Sequence, residues 1–183
     1  KQGSMLPCHN TMNKKPYHIT TAIHDSRTSS RMIRFKVREK RDLGTNPYPN
    51  IIYFTADEEL LITETISKIV KQNDLKLLAY NICADHIHLL LVCDIEDISK
   101  IMQKIKAVTS KILNRFRKTA REHAPLSKLK PIWQQKYSSP KEITSTNQLE
   151  NTIKYIQSNR RKHQLEPHSE KLQSIIDEMC SNL

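Results

Sequence analysis

The stretch LKLLAYNICADHIHLLLVC, residues 75–93, decides the fold. Leu75–Cys83 and His86–Cys93 are apolar on both faces, and only Ala84 and Asp85 separate them. Two runs of this kind joined by two residues predict a β-hairpin. Strands that are apolar on both faces are buried on both sides. We therefore expect this hairpin at the centre of an antiparallel sheet.

The segments on either side of the hairpin predict the other elements. Tyr17–His24 (YHITTAIH) is rich in β-branched residues and predicts a strand. Thr55 and Glu58 form a capping box that opens a helix to about Gln72. Elsewhere we expect a strand at Met32–Val37, a loop at Arg38–Asn50, a helix at about Glu96–Arg121 with the apolar stripe Ile98, Ile101, Ile105, Val108, Ile112 and Phe116, a short strand near Glu142–Thr144, and helices at about Asn147–His163 and His168–Cys180. This order predicts an α+β sandwich whose helices cover one side of the sheet.

Composition excludes several classes of protein. The 183-residue chain has two glycines, Gly3 and Gly44, whereas a dinucleotide fingerprint needs three spaced glycines and a P-loop needs at least two. We therefore expect no nucleotide cofactor. No window approaches about 18 uninterrupted apolar residues, so we expect a cytoplasmic protein with no membrane partner. The length predicts one domain, and cysteines without CxxC spacing predict reduced thiols.

Positive charge is concentrated in one part of the chain. The net charge is +11, yet residues 100–162 contain 16 Lys or Arg and three acids, a local balance of +13. Such a block is typical of a surface that binds phosphates. A solvated helix face is the alternative interpretation of the same charges.

Two histidines lie one residue apart in the second strand of the hairpin. Side chains alternate across a strand, so His86 and His88 point to one face. Two neutral imidazoles presented side by side form a natural pair of metal ligands. By itself this spacing is also typical of two packed or hydrogen-bonded histidines.

A helix near the end of the chain supplies two further candidates. In NTIKYIQSNRRKH, residues 151–163, Tyr155 and Asn159 are spaced i and i+4 and share one flank. They lie beside a core stripe that consists of Leu149, Ile153 and Ile156. If the helix packs on the histidine face, the Asn159 carbonyl oxygen can complete a metal site, with Tyr155 about one turn away. A boundary tyrosine beside an exposed asparagine is the alternative.

At these residues the sequence resembles the single-tyrosine HUH transposases, and most of all the REP-associated tyrosine transposases. The resemblance rests on YHITTAIH, AYNICADHIHLLLV, PIWQQKYSS and NTIKYIQSNRRKH, in that order. It implies a ferredoxin-like (RRM-like) α+β fold, with helices packed on one face of an antiparallel sheet and an additional C-terminal helix. It also implies that His86, His88 and Asn159 bind a metal and that Tyr155 is the nucleophile.

The resemblance further implies an organisation and an activity. KQGS before Met5 indicates a tag remnant, so we expect residues 1–16 to be that remnant and a flexible N-terminus, 17–164 the catalytic domain, and 165–183 a C-terminal helix. The implied activity is nicking and strand transfer of single-stranded, hairpin-forming DNA through a 5′-phosphotyrosine. Mg²⁺ or Mn²⁺ suits the ligands, which Zn²⁺ also accepts. Relatives include homodimers, so Tyr155 can serve its own chain's metal or a partner's.

Several assignments and alternatives accompany this interpretation. The expected DNA-binding residues are Lys104, Lys111, Arg115, Lys118, Arg160 and Arg161. Tyr137 in WQQKY is an alternative nucleophile. A non-catalytic nucleic-acid-binding protein of the same fold and an HUH nickase without strand transfer are the alternative functions.

Overall fold

The computed structural model describes residues 14–24, 53–119 and 132–180. In chain order its elements are β1 (Lys15–Ala22), α1 (Ala56–Gln72), β2 (Lys76–Cys83), β3 (His86–Cys93), a 3₁₀ turn (Ile95–Asp97), α2 (Ile98–Thr119), β4 (Lys141–Glu142), α3 (Thr146–Gln157), α4 (Asn159–Lys162) and α5 (Glu170–Cys180). Within these ranges no helix has the length and apolar character of a membrane span. The strand expected at Met32–Val37 and the loop expected at Arg38–Asn50 lie outside the described residues.

The four strands form one antiparallel sheet in the order β2-β3-β1-β4. Up to β4 the described elements run strand, helix, two strands, helix, strand, which is the ferredoxin-like arrangement. The predicted α+β class and fold are therefore confirmed. The predicted hairpin is β2 and β3, and β3 is central because β1 pairs along its other edge from Lys15↔Cys93 to Ala22↔His86.

Both faces of the hairpin are buried because helices lie on both sides of the sheet. Ile87 and Leu89 of β3 belong to the main core, together with side chains of α1, α2 and α5. Leu90 points to the opposite face and packs in a second cluster with Ile156 of α3. Helices α1, α2 and the C-terminal α5 thus share one face, and α3 covers the other. The prediction that helices cover only one side of the sheet is therefore wrong, because the hairpin is apolar on both faces and needs cover on each.

The start of α1 has the predicted capping box. The Thr55 hydroxyl accepts a hydrogen bond from the Glu58 amide at 3.3 Å, and the Glu58 carboxylate accepts one from the Thr55 amide at 3.1 Å. The same carboxylate accepts a hydrogen bond from Arg117 Nε at 2.6 Å. Arg117 belongs to α2, so the capping box also joins the two helices.

The buried face of α2 differs from the predicted stripe. Its buried residues are Ile98, Met102, Ile105, Thr109 and Leu113. Phe116, which the apolar spacing placed in the core, is 39% exposed. The buried hydroxyl of Thr109 makes two hydrogen bonds: it donates to the Ile105 carbonyl at 2.7 Å and accepts from Trp133 Nε1 at 2.8 Å. A polar side chain with its hydrogen bonds made can occupy a core position.

The helix expected at about Asn147–His163 is divided at Ser158 into α3 and α4. Asn81 of β2 donates from Nδ2 to the carbonyls of Ile156 and Gln157 at 2.6 and 3.3 Å. A side chain that bonds the last carbonyls of a helix favours its end. The same hydrogen bonds from Asn81 tie α3 to the sheet.

Other element ends shift by a few residues. β1 begins at Lys15 rather than at Tyr17, because Lys15 pairs with Cys93 and its ammonium bonds Glu142 at 2.6 Å. Residues 15 and 16 therefore belong to the sheet and not to the expected N-terminal segment. β4 is two residues long. Helix α5 contributes three side chains to the main core: Leu172, Ile176 and Met179.

Candidate active site

Strand β3 presents two imidazoles on the sheet face that α3 covers. The ring centroids of His86 and His88 lie 4.9 Å apart, and both side chains are buried. The alternation of side chains along a strand produces this pair. The structure thus places both histidines on one face.

His86 has a partner at each ring nitrogen. Its Nδ1 lies 2.5 Å from Asp85 Oδ1, and its Nε2 lies 3.0 Å from Asn159 Oδ1. In the neutral ring, a carboxylate at Nδ1 accepts the single ring proton there, and the Nε2 lone pair points at Asn159. Two acceptor atoms therefore face each other in the interior, where Asn159 is fully buried.

These facing acceptors fit a divalent cation. Neighbouring ligands of an octahedral ion with bonds of about 2.1 Å lie about 3.0 Å apart, which matches the separation of His86 Nε2 and Asn159 Oδ1. Asn159 Nδ2 is buried and has no hydrogen-bond partner among the described residues. With His88, the three side chains supply the nitrogen and oxygen donors that suit Mg²⁺, Mn²⁺ or Zn²⁺. Within the described ranges, no group of three or more His, Cys, Asp or Glu side chains is placed to hold a metal ion.

His88 is held by two residues of β1. Its Nδ1 lies 2.9 Å from His18 Nε2 and 2.9 Å from Thr20 Oγ1, and the His18 ring stacks on it at 5.1 Å. Burial, with a smaller contribution from the charge of Lys141, lowers the pKa of His18 to about 4. His18 is therefore neutral at pH 7, and its Nε2 can accept the Nδ1 proton of His88.

The sequence pattern missed His18 and Thr20 as site residues. Alternation in YHITTAIH places them on one face of β1. The sequence does not say which strand pairs with β1. The pairing of Thr20 with His88 is what places this face of β1 beside the imidazoles.

Tyr155 lies beside the imidazoles of its own chain. Its ring centroid is 5.6 Å from that of His88 and 5.9 Å from that of His18, both edge to face. The side chain is 40% exposed, so the phenol borders both the site and solvent. The Lys162 ammonium lies 5.1 Å from the centre of the ring. One chain therefore brings together the Tyr155 phenol, the Lys162 ammonium and the imidazole pair.

The alternative tyrosine, Tyr137, has a different environment. It is partly buried and packs against the main core. The segment before it is fixed by Lys106, whose ammonium donates to the carbonyls of Gln134 and Gln135 at 2.5 and 2.9 Å. The ring contact with His88 is made by Tyr155.

Comparison with known proteins gives the family. A family model described as IS200-like transposases matches residues 51–159, more than half of the chain. The chain belongs to this family. The match includes the imidazole pair, Tyr155 and Asn159. No curated protein matches this transposase-family chain in a sequence search.

Two solved structures have low similarity to this transposase-family chain. A REP-associated tyrosine transposase bound to a REP hairpin is 15% identical, with 87% of this chain and 74% of that chain covered and a TM-score of 0.49. A candidate transposase of Deinococcus radiodurans is 16% identical, with 89% and 100% covered and a TM-score of 0.37.

Four of the predicted DNA-binding residues lie on α2, away from the imidazoles. These exposed side chains are Lys104, Lys111, Arg115 and Lys118. The buried face of α2 packs into the main core, on the sheet face opposite the one that carries the imidazoles. In this transposase-family domain the sheet therefore separates the basic helix from Tyr155. Lys104 also donates to Asn73 Oδ1 at 2.5 Å.

Arg160 does not have the surface position predicted for it. Its guanidinium bonds both carboxylate oxygens of Glu59 at 3.0 and 2.8 Å, the Ile82 carbonyl at 2.9 Å and the Glu166 carbonyl at 2.7 Å. A buried carboxylate needs a paired cation, and Glu59 takes Arg160 as that partner. The side chain of Arg160 is 14% exposed, whereas Arg161 is exposed to solvent.

Proposed function

We propose that this protein nicks single-stranded DNA and joins strands, with Tyr155 as the nucleophile and His86, His88 and Asn159 as metal ligands. The observation that carries the proposal is the contact between the rings of Tyr155 and His88 in one chain. Membership of the IS200-like transposase family supports DNA as the substrate. The resemblance to REP-associated tyrosine transposases favours a hairpin-forming single strand.

The residues around the two imidazoles fix their orientation. A divalent cation, Mg²⁺ or Mn²⁺, held by the three ligands would polarise the scissile phosphodiester as a Lewis acid. Asp85 orients one imidazole, and His18 and Thr20 orient the other. Partners of this kind fix the tautomer and the ring plane of metal-binding histidines.

Tyr155 supplies the covalent chemistry. Its phenol oxygen bonds to phosphorus while the bond from phosphorus to the 3′ oxygen breaks. The products are a 5′-phosphotyrosine and a 3′-hydroxyl, which finally carries the proton that the phenol lost. A 3′-hydroxyl can then attack the phosphotyrosine and join two strands, so no nucleotide cofactor is required.

A cation of α4 supports this step. The Lys162 ammonium beside the Tyr155 ring stabilises negative charge on the phenol oxygen and on the phosphate. Arg161 is exposed next to Lys162 in the sequence, but it lines a groove away from the Tyr155 ring and has no role in this step. Arg160 is excluded from this role because Glu59 already pairs with it. The exposed lysines and arginines of α2 form a second phosphate-binding surface on the other side of the sheet.

The geometry favours action within one chain. Tyr155 contacts the imidazoles of its own chain, and Asn81 ties the helix that carries it to the sheet. We therefore propose that a single chain contains a complete site, without a tyrosine from a partner.

Covalent capture tests this function. A labelled single-stranded hairpin oligonucleotide is incubated with Mn²⁺ and each protein, and adducts that resist denaturation are counted. We expect an adduct with the wild type and with the matched control Tyr137→Phe. We expect none with Tyr155→Phe, and none with the wild type in EDTA.

Each other outcome identifies a different function. An adduct that survives Tyr155→Phe and disappears in Tyr137→Phe would assign the nucleophile to Tyr137. An adduct without joined strands would indicate a nickase. DNA binding that weakens with salt, is unchanged by EDTA and yields no adduct would indicate a non-catalytic binding protein.

A further inference from the structure

A groove of about 590 Å³ lies on the opposite side of the catalytic helix from Tyr155. Its floor is β2, the edge strand of the sheet, and its walls are the region from Gln157 to His168 and the inner side of α5. Gln157 follows Tyr155 by two residues, so the two side chains leave the helix about 200° apart. The groove therefore adjoins the proposed site across one helix.

The groove combines an apolar floor with a hydrogen-bonding rim. Apolar lining comes from Leu78, Ala79, Leu165 and Ile176. The rim carries the amides of Gln157, Gln164 and Gln173, the guanidinium of Arg161 and the carboxylate of Asp177. Flat ligands with polar edges need both kinds of surface.

Hydrogen bonds hold the α5 wall in place. Gln173 Nε2 donates to Asp177 Oδ1 at 2.8 Å. His168 Nε2 donates to the Ile82 carbonyl at 3.1 Å. Side chains fixed by hydrogen bonds in this way are pre-organised for a ligand.

The charges of the groove favour a neutral ligand. Arg161 and Asp177 are opposite in sign, and Arg160, which also lines the groove, is neutralised by Glu59. A phosphate would meet no net positive charge here, in contrast to the cation beside Tyr155.

We propose that this groove binds an unstacked nucleobase of the strand that Tyr155 cleaves, an inference that rests on the proposed function. Single-stranded bases are recognised by apolar contacts on their faces and hydrogen bonds at their edges. Glutamine amides and arginine guanidinium groups make bidentate contacts with such edges.

Equilibrium binding in EDTA isolates the groove from the chemistry. Fluorescence anisotropy measures the Kd of labelled 20-mers of dT, dA and dC and of an abasic deoxyribose 20-mer. The test variant is the double substitution Gln157→Ala with Arg161→Ala. Lys154→Ala is the matched control, because it removes one exposed positive charge from the same helical region without altering the groove.

We expect the wild type to bind its best base-containing 20-mer at least about fivefold more tightly than the abasic strand. This ratio should fall below about twofold in the double variant and stay unchanged in Lys154→Ala. Gln157→Leu, which keeps the side-chain volume, should lower the ratio in the same direction. Thermal melting of each variant confirms that it folds.

Two results would overturn the proposal. One is a wild type that binds abasic and base-containing strands equally. The other is a ratio that is as large in the folded double variant as in Lys154→Ala. Failure of the proposed function is a separate observation, because a missing Tyr155 adduct leaves the ratio measured in EDTA unaffected.

Discussion

Asn81 joins the sheet to the helix that carries Tyr155, so its replacement should weaken both the fold and the site. Its Nδ2 donates to the Ile156 carbonyl at 2.6 Å and to the Gln157 carbonyl at 3.3 Å, and the side chain is 3% exposed. Asn81→Ala removes the donor and leaves a buried carbonyl without its partner, which costs about 1–3 kcal/mol. We expect the free energy of unfolding to fall by about 2 kcal/mol.

Urea denaturation followed by the fluorescence of Trp133 measures this loss, because Trp133 is the one tryptophan and is buried in the core. The matched control is Asn151→Ala on the exposed side of α3, where Asn151 Nδ2 bonds Asn147 Oδ1 at 3.1 Å. The control should lose less than about 0.5 kcal/mol. Equal losses in the two variants would refute the anchoring role of Asn81. Mn²⁺ binding should also weaken in Asn81→Ala alone, since Asn159 lies just beyond the anchored carbonyls.

Three other perturbations test the surroundings of the site. Glu59→Ala leaves the buried guanidinium of Arg160 without its carboxylate and should lower the free energy of unfolding by about 3–5 kcal/mol in urea denaturation. Glu64→Ala breaks an exposed pair with Lys171 and should lower it by less than about 1 kcal/mol. Similar losses in the two variants would contradict the buried pairing. Asp85→Asn should weaken Mn²⁺ binding about 10- to 100-fold by titration calorimetry, and an unchanged affinity would rule out its orienting role. Burial lowers the pKa of His168 in the folded protein, so the unfolded chain binds a proton at a higher pH than the folded chain does. The free energy of unfolding should therefore fall as pH drops from about 7 to 5. His168→Gln should reduce this pH dependence, and an unchanged dependence would contradict the role of His168.

The central geometry of the site could be predicted because it depends on local periodicity. Alternation along β3 placed His86 and His88 on one face, and the helical spacing of Tyr155 and Asn159 placed them on one flank. The apolar stripe of that helix then required a partner surface. The local pattern left open whether the histidine face is that surface, and the resemblance to the HUH transposases implied that it is.

Contacts between distant segments could not be predicted in the same way. The position of His18 depends on the register of β1 against β3. The inward course of Arg160 depends on Glu59, a carboxylate 101 residues away in sequence. Local patterns contain no information on which distant residue completes a pair.

The basic helix shows the same limit for charge. Its lysines and arginines belong to the same stretch of sequence as those near Tyr155, so the local charge of +13 includes both groups. The chain crosses the sheet between the two groups, since α2 packs on the main core and α3 on the opposite face. Proximity in sequence therefore did not give one continuous surface.

The most direct measurement is the identity of the residue that becomes bonded to DNA. Wild-type protein is incubated with single-stranded hairpin DNA and Mn²⁺, digested with protease and nuclease, and mapped by mass spectrometry. We predict a nucleotide linked through its 5′-phosphate to the peptide that contains Tyr155, formed only when the divalent metal is present. A nucleotide linked to Tyr137 or to any other residue, or bound hairpin DNA that never yields a linked peptide, would contradict the central claim.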